Sequence, residues 1–155
     1  METATMTALG SFGGAAILSL SALGSALGAG VAAPAAIGAW KKCYAQNKIA
    51  PFMLLAFIGA PLSQTIYGMI VMNKIIAKAA VSAGSWPALL GIGLLGGMAM
   101  GASAYYQGKA GAAASDALGE TGKGAGNYLM ALGIIETVAI FVLVFGLVFI
   151  AKVIP

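Results

Sequence analysis

Four apolar runs, near residues 8–39, 50–80, 87–116 and 122–153, are separated only by brief polar breaks. A helix needs about 20 apolar residues to cross the hydrocarbon of a bilayer, and each run is longer than that. In lipid every backbone N–H and C=O must be satisfied internally, which leaves helices or closed barrels, and four segments cannot close a barrel. The expected fold is therefore an all-α membrane protein with four transmembrane helices, some tilted or projecting beyond the bilayer. The connections at 40–48 (WKKCYAQNK), 81–86 (VSAGSW) and 119–124 (GETGKG) are short, so consecutive helices should form antiparallel hairpins. This divides the chain into a first hairpin, 1–81, and a second, 82–155.

Composition agrees and narrows the function. Of 155 residues, 61% are hydrophobic and 8% charged, against about 25% charged in soluble domains, which excludes a soluble globular enzyme. The net charge of +4 is carried by scattered lysines and forms no basic patch, so no nucleic-acid partner is expected. With no His and a single Cys, Cys43, an internal disulfide and a Cys/His zinc site are both excluded. Glu2 and the lack of Lys before the first apolar run do not make a signal-peptide head, so that run is expected to stay in the mature chain.

An internal repeat lies over this layout. SALGAGVAAPAA at 25–36 aligns with SAYYQGKAGAAA at 103–114, and Gln64 then falls opposite Glu136. Glycine is concentrated in the first and third runs. Gly93, Gly97 and Gly101 recur at every fourth residue, as do Gly24, Gly28, Ala32 and Ala36. Such small-residue ridges let helix backbones approach closely. Alternate ridged helices suggest crowded inner helices lining a ring, with bulkier outer helices facing lipid.

Glu136 stands in LGIIETVAIFVLVFG, with no Lys near it in sequence. A charge at that depth costs about 2.5–3.5 kcal/mol on insertion scales and is functional by default. On the second run, Ser63, Gln64 and Tyr67 lie three and four residues apart and share a helix side, while Pro61 loosens the carbonyls of the preceding turn, up to Ala60. On the third run Gln107 interrupts an Ala/Gly stretch. Singly, each is more often interhelical glue than a ligand. Together, Glu136, Gln64, Gln107, the Ser63 hydroxyl and the Ala60 carbonyl supply the oxygens that hard cations want. Tyr67 would hold the carboxylate by its O–H. This inventory favours Na⁺ over a proton, which needs only one good partner. Lys109 either snorkels to the interface or supports an ion-free carboxylate; the first is favoured. Lys41, Lys42, Lys48 and Lys123 on one side, against Lys74, Lys78 and Lys152 on the other, weakly place loops 40–48 and 119–124 in the cytoplasm. Trp40 and Trp86 fall at span ends, as interfacial aromatics do.

With PLSQTIYG, YYQGKAGAAA, IIETVAIF and the Gly-rich first and third runs in view, the chain resembles, over nearly its whole length, the duplicated four-helix proteolipid (c or K) subunit of V-type rotary ATPases. One carboxylate per four helices, with Gln64 at the equivalent place in the first hairpin, is similar to the V-type version. The resemblance to the sodium-transporting branch implies that Ser63, Gln64, Gln107, Glu136 and the Ala60 carbonyl bind Na⁺, with Tyr67 bonded to Glu136. Ser63 stands where that branch more often has Thr. The resemblance further implies a homo-oligomeric ring in lipid, turning against a stator membrane subunit with an essential Arg. The ring would be driven through the central stalk of a soluble ATPase sector, and the subunit itself would have no catalytic activity. Short loops fit a bacterial cell membrane. Three alternatives stay open: the same rotor carrying H⁺, a small oligomeric channel or secondary transporter, and a tetraspan assembly factor in which Glu136 is structural.

Overall fold

A computed structural model describes residues 1–153; the last two residues of the second hairpin lie outside the described residues. The described chain is all helical: α1 (Thr3–Ala45), α2 (Leu54–Gly59), a 3₁₀ turn (Ala60–Leu62), α3 (Ser63–Val81), a 3₁₀ turn (Ala83–Ser85), α4 (Trp86–Thr121) and α5 (Ala125–Val153). Four helical stretches are long and apolar enough to cross a membrane, with α2, its 3₁₀ turn and α3 forming one of them. The chain is an integral, multi-pass membrane protein.

The expected helix limits need correction at the first connection. The apolar pattern fades at Ala39, yet α1 runs on through Trp40, Lys41, Lys42, Cys43, Tyr44 and Ala45. Nothing in that stretch breaks a helix. The stop comes from Asn47, in the left-handed region at φ 52, with the Lys48 N–H closing onto the Cys43 carbonyl at 2.9 Å. Trp40 is thus a helical residue, and its indole N–H donates to the Pro51 carbonyl at 2.9 Å. The third connection is likewise shorter than its glycines suggest. Gly122, at φ 65, ends α4 and donates its N–H to the Leu118 carbonyl at 2.8 Å, a left-handed C-terminal stop that favours glycine. With 43 residues, α1 is about 65 Å long, roughly twice the hydrocarbon thickness, so part of it stands outside the bilayer or it tilts.

The two Gly-rich helices, α1 and α4, pack against each other along their length and run parallel. Ile17 faces Gly97, Gly24 faces Gly101, Gly28 faces Gly108 and Ala39 faces Gly119. The approach is backbone to backbone. A Cβ on Gly24 would overlap the Gly101 main chain, and one on Gly101 would lie 2.6 Å from the Leu20 carbonyl oxygen. α3 lies antiparallel to α1, with Gly68 against Ser21 and Ile17. α5 lies antiparallel to α4, with Gly146 beside Ile92. Ile17, Val71, Ile75, Leu89 and Met100 fill one end of the bundle, and Leu54, Phe57, Ala114, Leu118 and Leu132 the other. At one end Lys42 pairs with Glu120, which fixes the first and third connections side by side. Bulky exposed side chains occur on every long helix and are most numerous on α5, among them Ile134, Val138, Phe141 and Phe145.

Because the α1–α4 seam has no room for a methyl group, Gly24→Ala should lower the stability of the detergent-solubilised protein by about 1–3 kcal/mol. Gly126→Ala, in open space at the start of α5, should be neutral or stabilising by up to about 1 kcal/mol. Thermal unfolding midpoints of the two variants check this; equal midpoints would contradict the packing described.

Candidate functional site

The polar groups inside the bundle meet where α3, α4 and α5 face one another, and a local irregularity in the second span prepares the place. Pro61 has no N–H to give the Phe57 carbonyl, and the chain tightens into the 3₁₀ turn at Ala60–Leu62. α3 then begins at Ser63. The Ser63 hydroxyl lies 3.0 Å from the Ala60 carbonyl oxygen and 3.2 Å from Gln64 Oε1, so its single proton can serve either.

Gln64 is fully buried and donates through Nε2 to Gln107 Oε1 at 2.9 Å. Gln107, equally buried, spends its amide N–H groups on the Leu132 carbonyl at 3.1 Å and on Glu136 Oε2 at 3.2 Å. Tyr67 donates its hydroxyl to the other carboxylate oxygen, Oε1, at 2.7 Å. Gln64, Gln107, Glu136 and Tyr67 therefore form one hydrogen-bonded chain across three helices, and the Ser63 hydroxyl, between the Ala60 carbonyl and Gln64 Oε1, stands at its end. Every residue singled out from the sequence for this site is in it. The carboxylate is half-buried, clasped on the protein side by one hydroxyl and one amide.

The donor set has a definite chemistry. Among the described residues no cluster of three or more His, Cys, Asp and Glu is present. What the chain gathers instead is one carboxylate with amide, hydroxyl and main-chain carbonyl oxygens, which are ligands for a hard cation of low charge. No lysine takes part in this hydrogen-bonded chain. Lys109 turns over the rings of Tyr105 and Tyr106, with its Nζ at 5.8 and 5.9 Å from their centroids. Cation–π contact, rather than a carboxylate, is what it touches.

Two supporting groups were not singled out from the sequence. Ser103 donates to the Ile135 carbonyl at 2.9 Å, tying α4 to α5 one residue before Glu136. The Leu132 carbonyl holds the Gln107 amide. Ser103 sits one turn before Gln107, a spacing that could have drawn attention to it, whereas a main-chain acceptor such as Leu132 carries no side-chain signal at all.

Residues 90–149 match the model of the ATP synthase C-subunit family. The matched stretch takes in most of α4 and α5, including Gln107 and Glu136, and leaves Ser63, Gln64 and Tyr67 outside it. No curated protein matches the chain.

Gln107 is the hub of the network, so its removal strands more polar groups than the removal of its neighbour. Gln107→Leu leaves the Gln64 amide and Glu136 Oε2 without a partner, and Gln64→Leu leaves only Gln107 Oε1. Each buried orphan costs about 1–3 kcal/mol. Gln107→Leu should therefore lower the thermal midpoint in detergent clearly more than Gln64→Leu, and the reverse order would contradict the geometry.

Proposed function

We propose that this chain is the ion-carrying rotor subunit of a rotary ATPase of the V type, and that Glu136 binds Na⁺ within the membrane. The likeness of residues 90–149 to the ATP synthase C-subunit family supports the rotor role. The observation that carries the ion reading is the hydrogen-bonded run of hydroxyl and amide groups that links α3 and α4 to the one carboxylate on α5.

In this reading Na⁺ is cargo. An empty carboxylate in hydrocarbon is costly, so Glu136 travels through lipid only when neutralised. The ion is received by Glu136, Gln64 Oε1, Gln107 Oε1, the Ser63 hydroxyl and the Ala60 carbonyl, which together replace its hydration shell. Tyr67 keeps hold of Glu136 Oε1 and fixes the carboxylate's orientation while its other oxygen faces the ion. The two tandem hairpins contribute unequally, since Gln64 stands where a second acid would stand. Copies of the chain form a ring that turns against a stator subunit, whose Arg displaces the ion at the exchange point, and the central stalk of the soluble sector drives the rotation. Each ion moved outward works against about 2.3 kcal/mol per charge per 100 mV. One ion per four helices means few ions per turn, which suits pumping against a steep gradient. A bacterial cell membrane with loops 40–48 and 119–124 on the cytoplasmic side completes the proposal.

Carbodiimide, which attacks a protonated carboxyl in apolar surroundings, should label Glu136, and Na⁺ at constant pH should protect it. Glu136→Gln should abolish the labelling. Gln64→Leu should raise the Na⁺ concentration needed for protection at least tenfold. Labelling of Glu136 that responds to pH but is indifferent to Na⁺ would instead identify a proton-carrying rotor.

A further inference from the structure

Ser25, on α1, has a hydroxyl that is buried and has no hydrogen-bond partner. Other buried serines nearby do not share this condition. Ser21 returns its proton to the Ile17 carbonyl at 2.7 Å and Ser115 to the Gly111 carbonyl at 2.8 Å. Ser103, the position aligned with Ser25 in the repeat, reaches the Ile135 carbonyl. A buried polar atom left unpaired costs about 1–3 kcal/mol, and a group kept at that cost calls for an explanation.

Its place in the fold supplies one. α1 and α3 are antiparallel. A Cβ on Gly68 would meet the Ser21 hydroxyl, and a Cβ on Gly28 would lie 2.9 Å from the Pro61 side chain. Ser25 lies between Ser21 and Gly28, and Gln64 lies between Pro61 and Gly68, so the two stand at the same level. Ser25 follows Ser21 by one helical turn and shares its side of α1. Gln64 belongs to the buried stripe of the opposing span, with Pro61, Gly68, Val71 and Ile75.

We propose that Ser25 is a positioning residue for the ion site, its hydroxyl oxygen accepting the Gln64 amide N–H when a cation occupies the site. This rests on the Na⁺ reading above and deepens it. With the site as it stands, Gln64 Nε2 donates to Gln107 Oε1. A cation that takes both amide oxygens competes for the Gln107 Oε1 lone pairs and weakens its hold on the Gln64 N–H, which favours a further acceptor. Gln107 cannot be rearranged to help, because its own N–H groups are held by Leu132 and Glu136. The Ser25 hydroxyl is the vacant acceptor at that level, and its proton can return to the carbonyl one turn back in α1, as Ser21 and Ser115 do. The first helix thus joins a site otherwise built from the other three spans, and the orphaned hydroxyl gains a partner when a cation is bound.

The test is Ser25→Ala in the full-length, membrane-assembled protein, read by Na⁺ protection of Glu136 against carbodiimide at constant pH. Groups that orient first ligands are typically worth 10–100-fold in affinity, so the variant should need at least tenfold more Na⁺ for half protection. Its labelling rate without Na⁺ should match that of the parent. Thermal midpoints separate this from a merely structural role. Without Na⁺ the variant should be as stable as the parent or more so, since an unpaired hydroxyl has been removed, and only the Na⁺-induced rise should shrink. Equal Na⁺ protection in variant and parent overturns the assignment while leaving the Na⁺ reading intact, as does an equal loss of stability with and without Na⁺. Absence of Na⁺ protection in the parent overturns the Na⁺ reading and this assignment together.

Discussion

A carboxylate in the middle of an apolar helix cannot find partners on that helix. The residues around Glu136 on α5 are Ile, Gly, Ala, Val, Phe and Leu, apart from Thr137, whose hydroxyl returns to the Ile134 carbonyl at 2.6 Å. Everything that holds the acid must come from neighbouring helices, at a register accurate to a fraction of an ångström. Tyr67 on α3 and Gln107 on α4 meet that requirement from two directions. The rest of the architecture can be understood as the means of delivering those two side chains to one point.

Delivery depends on α1 and α4. Because their glycines let the two backbones touch, the helices they carry, α3 and α5, are drawn close enough for a tyrosine on one to reach a glutamate on the other. A wider seam would separate the two hairpins and with them Tyr67 from Glu136. Gln64 and Gln107 occupy the narrow space between, where the Gln64 amide N–H donates to Gln107 Oε1 and neither side chain is exposed. The 3₁₀ turn that contains Pro61 contributes the Ala60 carbonyl, and Ser63, at the start of α3, places its hydroxyl beside it. Small residues, a proline and two amides thus serve one geometric purpose.

Much of this was legible from the chain alone, for physical reasons that differ by element. The four spans follow from run length, since nothing but helix can bury such segments in lipid. The glycine ridges follow from their four-residue spacing, and the repeat offset between 25–36 and 103–114 lies within one helical turn of the offsets at which α1 and α4 pair. The end of α1 was not legible, because Trp40, Lys41 and Lys42 are polar or amphipathic without being helix breakers, and hydropathy does not report where a helix stops. Nor was the environment of Lys109. Its tyrosines precede it by three and four residues, a helical spacing, but their rings compete with solvent and carboxylates for the ammonium in a way that composition does not decide. Ser103 and Leu132 became apparent only with the α4–α5 register, since both act through a main-chain carbonyl.

In the proposed reading a cation captured between three helices holds Glu136 neutral inside the bilayer. Equilibrium binding of radioactive sodium to the purified, assembled protein tests that most directly. It should saturate at one ion per chain and vanish in Glu136→Gln. Saturation at zero in the parent, or binding that survives the loss of the carboxylate, would contradict it.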